Sequence, residues 1–111
     1  MTAALLAALL MLRGLGVPAS VETFSVSAYT NRTGAPPYQG LTASGEYTRP
    51  GVAACGPSYS FGTFLLVDAK WYVCADRGGA ITDGHLDLWF QEDEGAWAWG
   101  RQTLNVLVVR N

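Results

Sequence analysis

Charge is scarce in this chain. Only 14% of its 111 residues are Asp, Glu, Lys or Arg, against 50% hydrophobic residues. Disorder needs the opposite balance, so a folded body is expected. The net charge is −2, and the seven Lys and Arg form no basic stripe. Nucleic acid is therefore excluded as the expected partner. One histidine and two cysteines offer too few ligands, at no recognised spacing, for a metal centre. No metal and no cofactor is expected. Internal repeats, low-complexity tracts and long helical patterns beyond the first dozen residues are also missing, so one domain without a linker is expected.

What is present begins with an unbroken run of Ala, Leu and Met from Ala3 to Leu12. The run is too short to span about 30 Å of hydrocarbon as a helix. With the small residues around Val17-Pro18-Ala19, it reads as a secretory signal peptide or a hydrophobic anchor helix over residues 1–20. Met1-Thr2 lacks the positive charge usual at such a start, and a buried N-terminal helix is the competing reading. The domain then covers 21–111. It is expected to be exported (periplasmic, cell-wall or extracellular) and to meet a membrane only through an uncleaved N-terminus. Its oligomeric state is left open.

After Ser20 the hydrophobic period changes. Thr23 to Tyr29 alternate polar and apolar residues, as a half-buried strand does. Residues 31–40 carry two glycines and two prolines and read as a loop; the glycosylation-like triplet Asn31-Arg32-Thr33 within it reads as a plain turn. Gly62 to Val67 and Lys70 to Ala75 read as a hairpin turning at Asp68-Ala69. Leu86 to Gln91 is another strand, and Ala96 to Ala98 offer one helical turn. Thr103 to Val109 is a nearly continuous apolar strand, expected to be buried on both faces. About six short strands with frequent turns imply a mainly β fold, a small barrel or sandwich. Four Trp and five Tyr exceed what so small a core needs. Part of them is expected at the surface, where aromatic rings stack on sugars; simple core filling is the competing reading.

Cys55 and Cys74 are the only cysteines. In an exported chain a disulfide is the leading expectation, closing a loop of about twenty residues worth roughly 3 kcal/mol. Two unpaired core thiols, or a thiol nucleophile with His85 as base, are the alternatives.

The strongest local feature is Cys74-Ala75-Asp76-Arg77-Gly78-Gly79-Ala80-Ile81, followed by His85-Leu86-Asp87-Leu88-Trp89-Phe90. One carboxylate ends a strand and the other begins the next, so both can face one cleft. Gly78 and Gly79 permit positive φ and a close backbone approach to a ligand. Asp87 lies on the strand face opposite Leu86 and Leu88, and apolar surroundings raise a carboxyl pKa, as a general acid requires. His85 is placed to tune Asp87, and Arg77 is expected to pair with a carboxylate or with substrate. An Asp beside glycine is also common in plain turns, where its side chain bonds backbone N–H groups, and Asp-Arg is also an ordinary surface pair.

These residues occur in a familiar order: Thr42-Ala43-Ser44-Gly45, Val52-Ala53-Ala54, Phe61-Gly62-Thr63, Asp76-Arg77-Gly78-Gly79-Ala80-Ile81, Leu86-Asp87-Leu88, Trp99-Gly100 and Val106 to Val109. From about Phe24 to Val109 the chain resembles the 3D (three-aspartate) domain of cell-wall muralytic proteins, including the domain of membrane-bound lytic transglycosylase A. The resemblance implies a six-stranded double-psi β-barrel acting on peptidoglycan by lytic transglycosylation between N-acetylmuramic acid and N-acetylglucosamine. It implies Asp87 as the acid/base and Asp76 as its support, with Thr42, Ser44, Tyr29 and the Gly78-Gly79 backbone in substrate binding. Tyr47 and Trp89 are further candidates for a stacking wall. The family's third aspartate has no counterpart here, since Ala53-Ala54-Cys55-Gly56-Pro57 stands in its place. A non-catalytic, expansin-like glycan-binding module is the alternative, favoured by that loss and by Trp89, Trp97 and Trp99; a structural wall-contacting part is a third.

Overall fold

The computed structural model describes residues 1–31 and 39–111. Most of the expected 31–40 loop, including Arg32 and Thr33 of the triplet, lies outside them. In chain order the elements are α1 (Ala3–Gly14), β1 (Ala19–Tyr29), β2 (Val52–Cys55), β3 (Phe64–Val67), β4 (Lys70–Asp76), β5 (His85–Trp89), α2 (Asp93–Trp99) and β6 (Gln102–Val109). The six strands close into a barrel in the order β1-β5-β2-β4-β3-β6, with β6 returning to β1. Two pairs are parallel, β1 with β5 and β2 with β4, and the others are antiparallel. This mainly β architecture is compatible with the double-psi barrel, and closure leaves no sheet edge to protect.

Alternation along each strand sorts the side chains. Phe24 and Val26 from β1, Leu65 and Val67 from β3, Leu86 and Leu88 from β5 and Val106 and Val108 from β6 fill the interior. The hairpin turn is the expected Asp68-Ala69 pair, and both residues have positive φ, as a two-residue turn matched to the strand twist requires. The expected helical turn is longer than Ala96 to Ala98. It runs over Asp93–Trp99, with Asp93 and Glu94 in its first turn, where negative charge meets the positive end of the helix dipole.

Cys55 and Cys74 form a disulfide between neighbouring strands β2 and β4, with Cα atoms 5.8 Å apart. Both residues are fully buried. The bridge ties the short β2 to the strand that ends in Asp76.

The N-terminal run folds as α1. Thr2 Oγ1 accepts a hydrogen bond from Leu5 N at its start. Its end is closed by Gly16 N donating to Arg13 O and Val17 N donating to Leu12 O, with Gly16 in the left-handed region; this is the Schellman arrangement, which favours glycine. Leu5, Ala8, Leu9 and Leu12 pack over Ala19, Val21, Leu66 and Leu107 on the outside of the barrel. Among the described residues no helix is long and apolar enough to cross a membrane. The last strand is buried on both faces only over Val106–Val108: Val106 and Val108 point into the barrel and Leu107 points under α1.

Candidate functional site

The outer face of β1, β5, β2 and β4 carries the two aspartates. Asp87 is the third residue of β5. It lies opposite Ser27 of parallel β1 on one side and opposite Ala54 of β2 on the other. Ala54 is in turn opposite Asp76 of β4. One row across the sheet therefore reads Ser27, Asp87, Ala54, Asp76. With strands about 4.8 Å apart, the two aspartate backbones are roughly 10 Å apart; Ala54 between them is buried, and the Tyr29 side chain reaches across from β1 to Asp76.

Asp76 reaches this row through an irregularity. Ala53 pairs with Cys74 and Ala54 with Asp76, so Ala75 is an extra residue in β4. Strict alternation from Cys74, whose side chain is in the core, would turn Asp76 inward as well. The bulge re-aims it to the outside, as bulges beside sites commonly do.

Asp76 is then held from three directions. Its Oδ2 accepts from the Tyr29 hydroxyl at 2.8 Å, and its Oδ1 accepts from Ala43 N and Arg77 N, each at 2.9 Å. Tyr29 is half-buried. Burial first, then its bond to Asp76 and the charges of Asp76 and Asp87, push its hydroxyl far above the ordinary tyrosine range. It stays a donor at any physiological pH. Ala43 is presented by a tight turn in which Thr42 N and Oγ1 both donate to Glu46 O, at 2.7 Å each, while Ser44 N donates to Ala75 O at 3.1 Å. Thr42 is buried, and its hydroxyl also pairs with Ser44 Oγ at 2.9 Å. The Thr42–Ser44 turn is thus brought to Asp76, with the Ala43 backbone amide making the contact.

Asp87 is held differently. Its Oδ1 accepts one hydrogen bond, from Ser27 Oγ at 3.0 Å. Burial raises its carboxyl above the ordinary range and the charge of Asp76 adds to the rise, against the pull of Ser27, His85 and Arg101. The His85 ring faces Arg101, whose Nη1 donates to His85 Nε2 at 2.8 Å; a guanidinium only donates, so Nε2 is the acceptor.

Two readings from the sequence are corrected, for Arg77 and Trp89. The positive φ that Gly78 and Gly79 permit is not used. Both are exposed, and at Gly78 the tight constraint is steric, because a Cβ would meet the Ile81 side chain. Arg77 does not pair with a carboxylate. Its Nη2 donates to Tyr59 O at 2.7 Å, its Nη1 lies 2.8 Å from Cys55 Sγ and 3.1 Å from Cys74 Sγ, and its guanidinium stacks 4.2 Å from the Phe61 ring centre. Trp89 does not form an open stacking wall: it is 4% exposed, packs with Val52 and Ala75, and donates Nε1–H to Asn31 Oδ1. Tyr47 is exposed on the covering loop, and Tyr29 bridges to Asp76.

Sequence reasoning passed over Ser27, Ala54 and Ala43. Ser27 carried a readable signal, since it falls on the polar side of the β1 alternation. Ala43 acts through its backbone and carried none.

A closed six-stranded barrel, presenting two unlike carboxylates across an alanine floor, is the class of domain seen here. The model of the 3D domain matches residues 52–110, more than half of the chain, and the chain belongs to that family. The match is narrower than the resemblance, which began near Phe24. It contains Asp76, Asp87 and both cysteines, and leaves Tyr29, Thr42 and Ser44 outside. No curated protein matches the chain.

Proposed function

We propose that the protein acts on peptidoglycan as a lytic transglycosylase, with Asp87 as its acid/base. The observation that carries this reading is the contrast between two carboxyls on one face: Asp87 is raised by burial and bonded once, while Asp76 accepts three hydrogen bonds. A carboxyl whose pKa is raised by burial is better suited to hand over a proton, and one held by three donors is fixed in its orientation. In the reaction, Asp87 Oδ–H protonates the glycosidic oxygen between N-acetylmuramic acid and N-acetylglucosamine as the C1–O bond breaks. The resulting carboxylate then takes the proton of the same sugar's C6 hydroxyl, whose oxygen closes on C1. Water is not consumed, and Asp87 ends protonated as it began. Asp76, with its Tyr29 donor, offers negative charge to the cationic transition state. The Thr42–Ser44 turn and the exposed Gly78-Gly79 backbone border that face and supply contacts to the sugar. An exported location fits a buried disulfide and the family's association with cell walls.

The test is digestion of purified sacculi with mass analysis of the soluble products. Wild-type protein is expected to release anhydro-muramyl ends, and Asp87→Asn to release at least about 100-fold less while remaining folded. Release by Asp87→Asn at the wild-type level would remove Asp87 from the chemistry.

One observation favours a second reading. The position of the family's third aspartate is taken by the Cys55 segment, whose sulfur is bonded to Cys74 and covered by Arg77. A site reduced in this way can serve a non-catalytic glycan-binding module. That reading predicts sedimentation with sacculi and no soluble product from the wild-type protein.

A further inference from the structure

A second concave site lies away from Asp76. Lys70 and Asp76 are the two ends of β4, six residues apart, which is roughly 20 Å of strand. At the Lys70 end, the β3–β4 hairpin, the end of β5 and α2 enclose a cleft of about 710 Å³. Its walls are aromatic: Trp71, Tyr72, Trp89, Phe90 and Trp99 all line it. Two of the indoles are fixed from behind, Trp89 by Nε1–H to Asn31 Oδ1 at 2.7 Å and Trp99 by Nε1–H to Val26 O at 3.1 Å. Their N–H groups are thus occupied; Trp89 is nearly covered and backs the cleft, while the half-buried Trp99 offers it apolar surface. Trp71 stands at the rim, 52% exposed, held edge-on by Phe64.

The polar groups at the cleft narrow the ligand. Asp68 brings a carboxylate and Lys70 an ammonium, so the rim carries both signs and no net charge. A phosphate or nucleotide would meet Asp68 unfavourably, and a purely apolar guest would leave both charges without a role. Tyr72 adds a hydroxyl that can donate or accept, and burial followed by the charge of Asp68 keeps it protonated. Among the described residues the Tyr72 hydroxyl and the Lys70 ammonium have no hydrogen-bond partner. A pyranose ring fits this combination: its C–H face lies on indole surface, and its hydroxyl rim both donates and accepts. Pockets of this volume, mostly apolar with a few convergent polar groups, are the ordinary form of small-ligand sites.

We propose that the barrel-end cleft is a saccharide site separate from the aspartate face, holding one pyranose ring of a glycan chain with Trp71 as its outer wall. Trp89 connects the two regions. It lines the cleft and lies two residues beyond Asp87 on β5, about 7 Å along the strand. One glycan chain can therefore engage the cleft and Asp87 together. This last step rests on the glycan reading of Asp87; binding in the cleft does not.

The experiment is titration of the full chain with the tetramer of N-acetylglucosamine, read by calorimetry and by the indole N–H resonances of the four tryptophans. The expected result is saturable binding that shifts the Trp71, Trp89 and Trp99 indoles and leaves Trp97, exposed outside the cleft, unmoved. Trp71→Ala is expected to weaken binding at least about tenfold, equivalent to about 1.4 kcal/mol. Lys70→Ala, a change at an exposed position, is expected to weaken it in the same direction and serves if Trp71→Ala fails to fold. Unchanged affinity in both variants, or no binding by the wild type at millimolar tetramer, overturns the cleft. Repeating the titration with Asp87→Asn separates the two proposals: loss of sacculus cleavage with retained cleft binding supports both, and retained cleavage removes Asp87 from catalysis while the cleft still stands on the titration.

Discussion

The two covered outer faces of this barrel are built from different materials. Over β3, β6 and the start of β1, the apolar helix α1 lies on Leu66, Leu107 and Val21, and the contact is hydrophobic apart from Arg13 Nε donating to Ala19 O at 3.0 Å. Over β5, β2 and β4, the segment between β1 and β2 is fastened by polar groups: Ala43 N to Asp76, Ser44 N to Ala75 O, and Asn31 to both Thr48 and Trp89. Apolar packing is non-directional and stabilises in proportion to area. A hydrogen-bonded cover fixes the direction of each group, which is what a binding or reacting site requires. The difference teaches that one face is held by area and the other by direction, and on the proposed function each should be disturbed without the other.

The largest expected effect is on the polar face. On the proposed reading Asp87→Asn removes the proton of the general acid, a role that accounts for about 10²–10⁴-fold in rate, and the release of soluble muropeptides from sacculi should fall by that factor. Its thermal midpoint at neutral pH should not fall. A parallel loss of stability and release would mean that Asp87 is part of the scaffold after all.

On the apolar face, Leu107→Ala should act in the opposite way. Leu107 is fully buried beneath Leu5, Leu9 and Leu12, and such truncations cost about 2–5 kcal/mol. Urea unfolding should show a lower midpoint with an unchanged slope, and release per folded molecule should stay at the wild-type level. Reduced release without reduced stability would break the division between the faces.

Tyr29→Phe tests the smaller terms. It deletes one of the three donors to Asp76, and a hydrogen bond to a charged group is worth roughly 1.5–3 kcal/mol. Ala43 N and Arg77 N remain, so the loss should fall toward the low end of that range. A drop in release of about tenfold, with a modest fall in thermal midpoint, is the expected outcome. Release equal to wild type would show that Asp76 needs no help from β1.

Much of this arrangement can be read from the residues, and its gaps have physical causes. The alternation of β1, the Asp68-Ala69 turn and the outward Asp87 between two leucines follow from a period of two and from turn chemistry. The strand Val52–Cys55 escapes such reading, because all four residues are buried and a short run of small apolar residues has no period. The orientation of Asp76 escapes it because a bulge breaks the alternation within β4. Arg77 escapes it because its partners are two carbonyls, two sulfurs and a ring, none of which is a charge that sequence neighbours would suggest. The apolar run at the N-terminus announces a hydrophobic helix, and only the tertiary structure brings it onto Leu107.

The smallest effect is the most specific to Asp87, and it comes from its proton. Burial raises the folded-state carboxyl, so in the unfolded chain the same group ionises at a lower pH, near the ordinary value of about 3.9. Below that value both states are protonated and the group costs nothing. As pH rises through the window between the unfolded and folded values, the unfolded state releases its proton first, and stability falls by this group's contribution. It remains lower at neutral pH. Asparagine has no such proton and can keep the Ser27 contact. Asp87→Asn and wild type should therefore unfold at nearly the same temperature near pH 3, and the variant should be the more stable of the two near pH 7. The deficit of Leu107→Ala, which involves no titrating group, should be the same at both pH values. If the two profiles run parallel, Asp87 is ionised as easily in the folded chain as in water, and it lacks the raised pKa that an acid on this face requires.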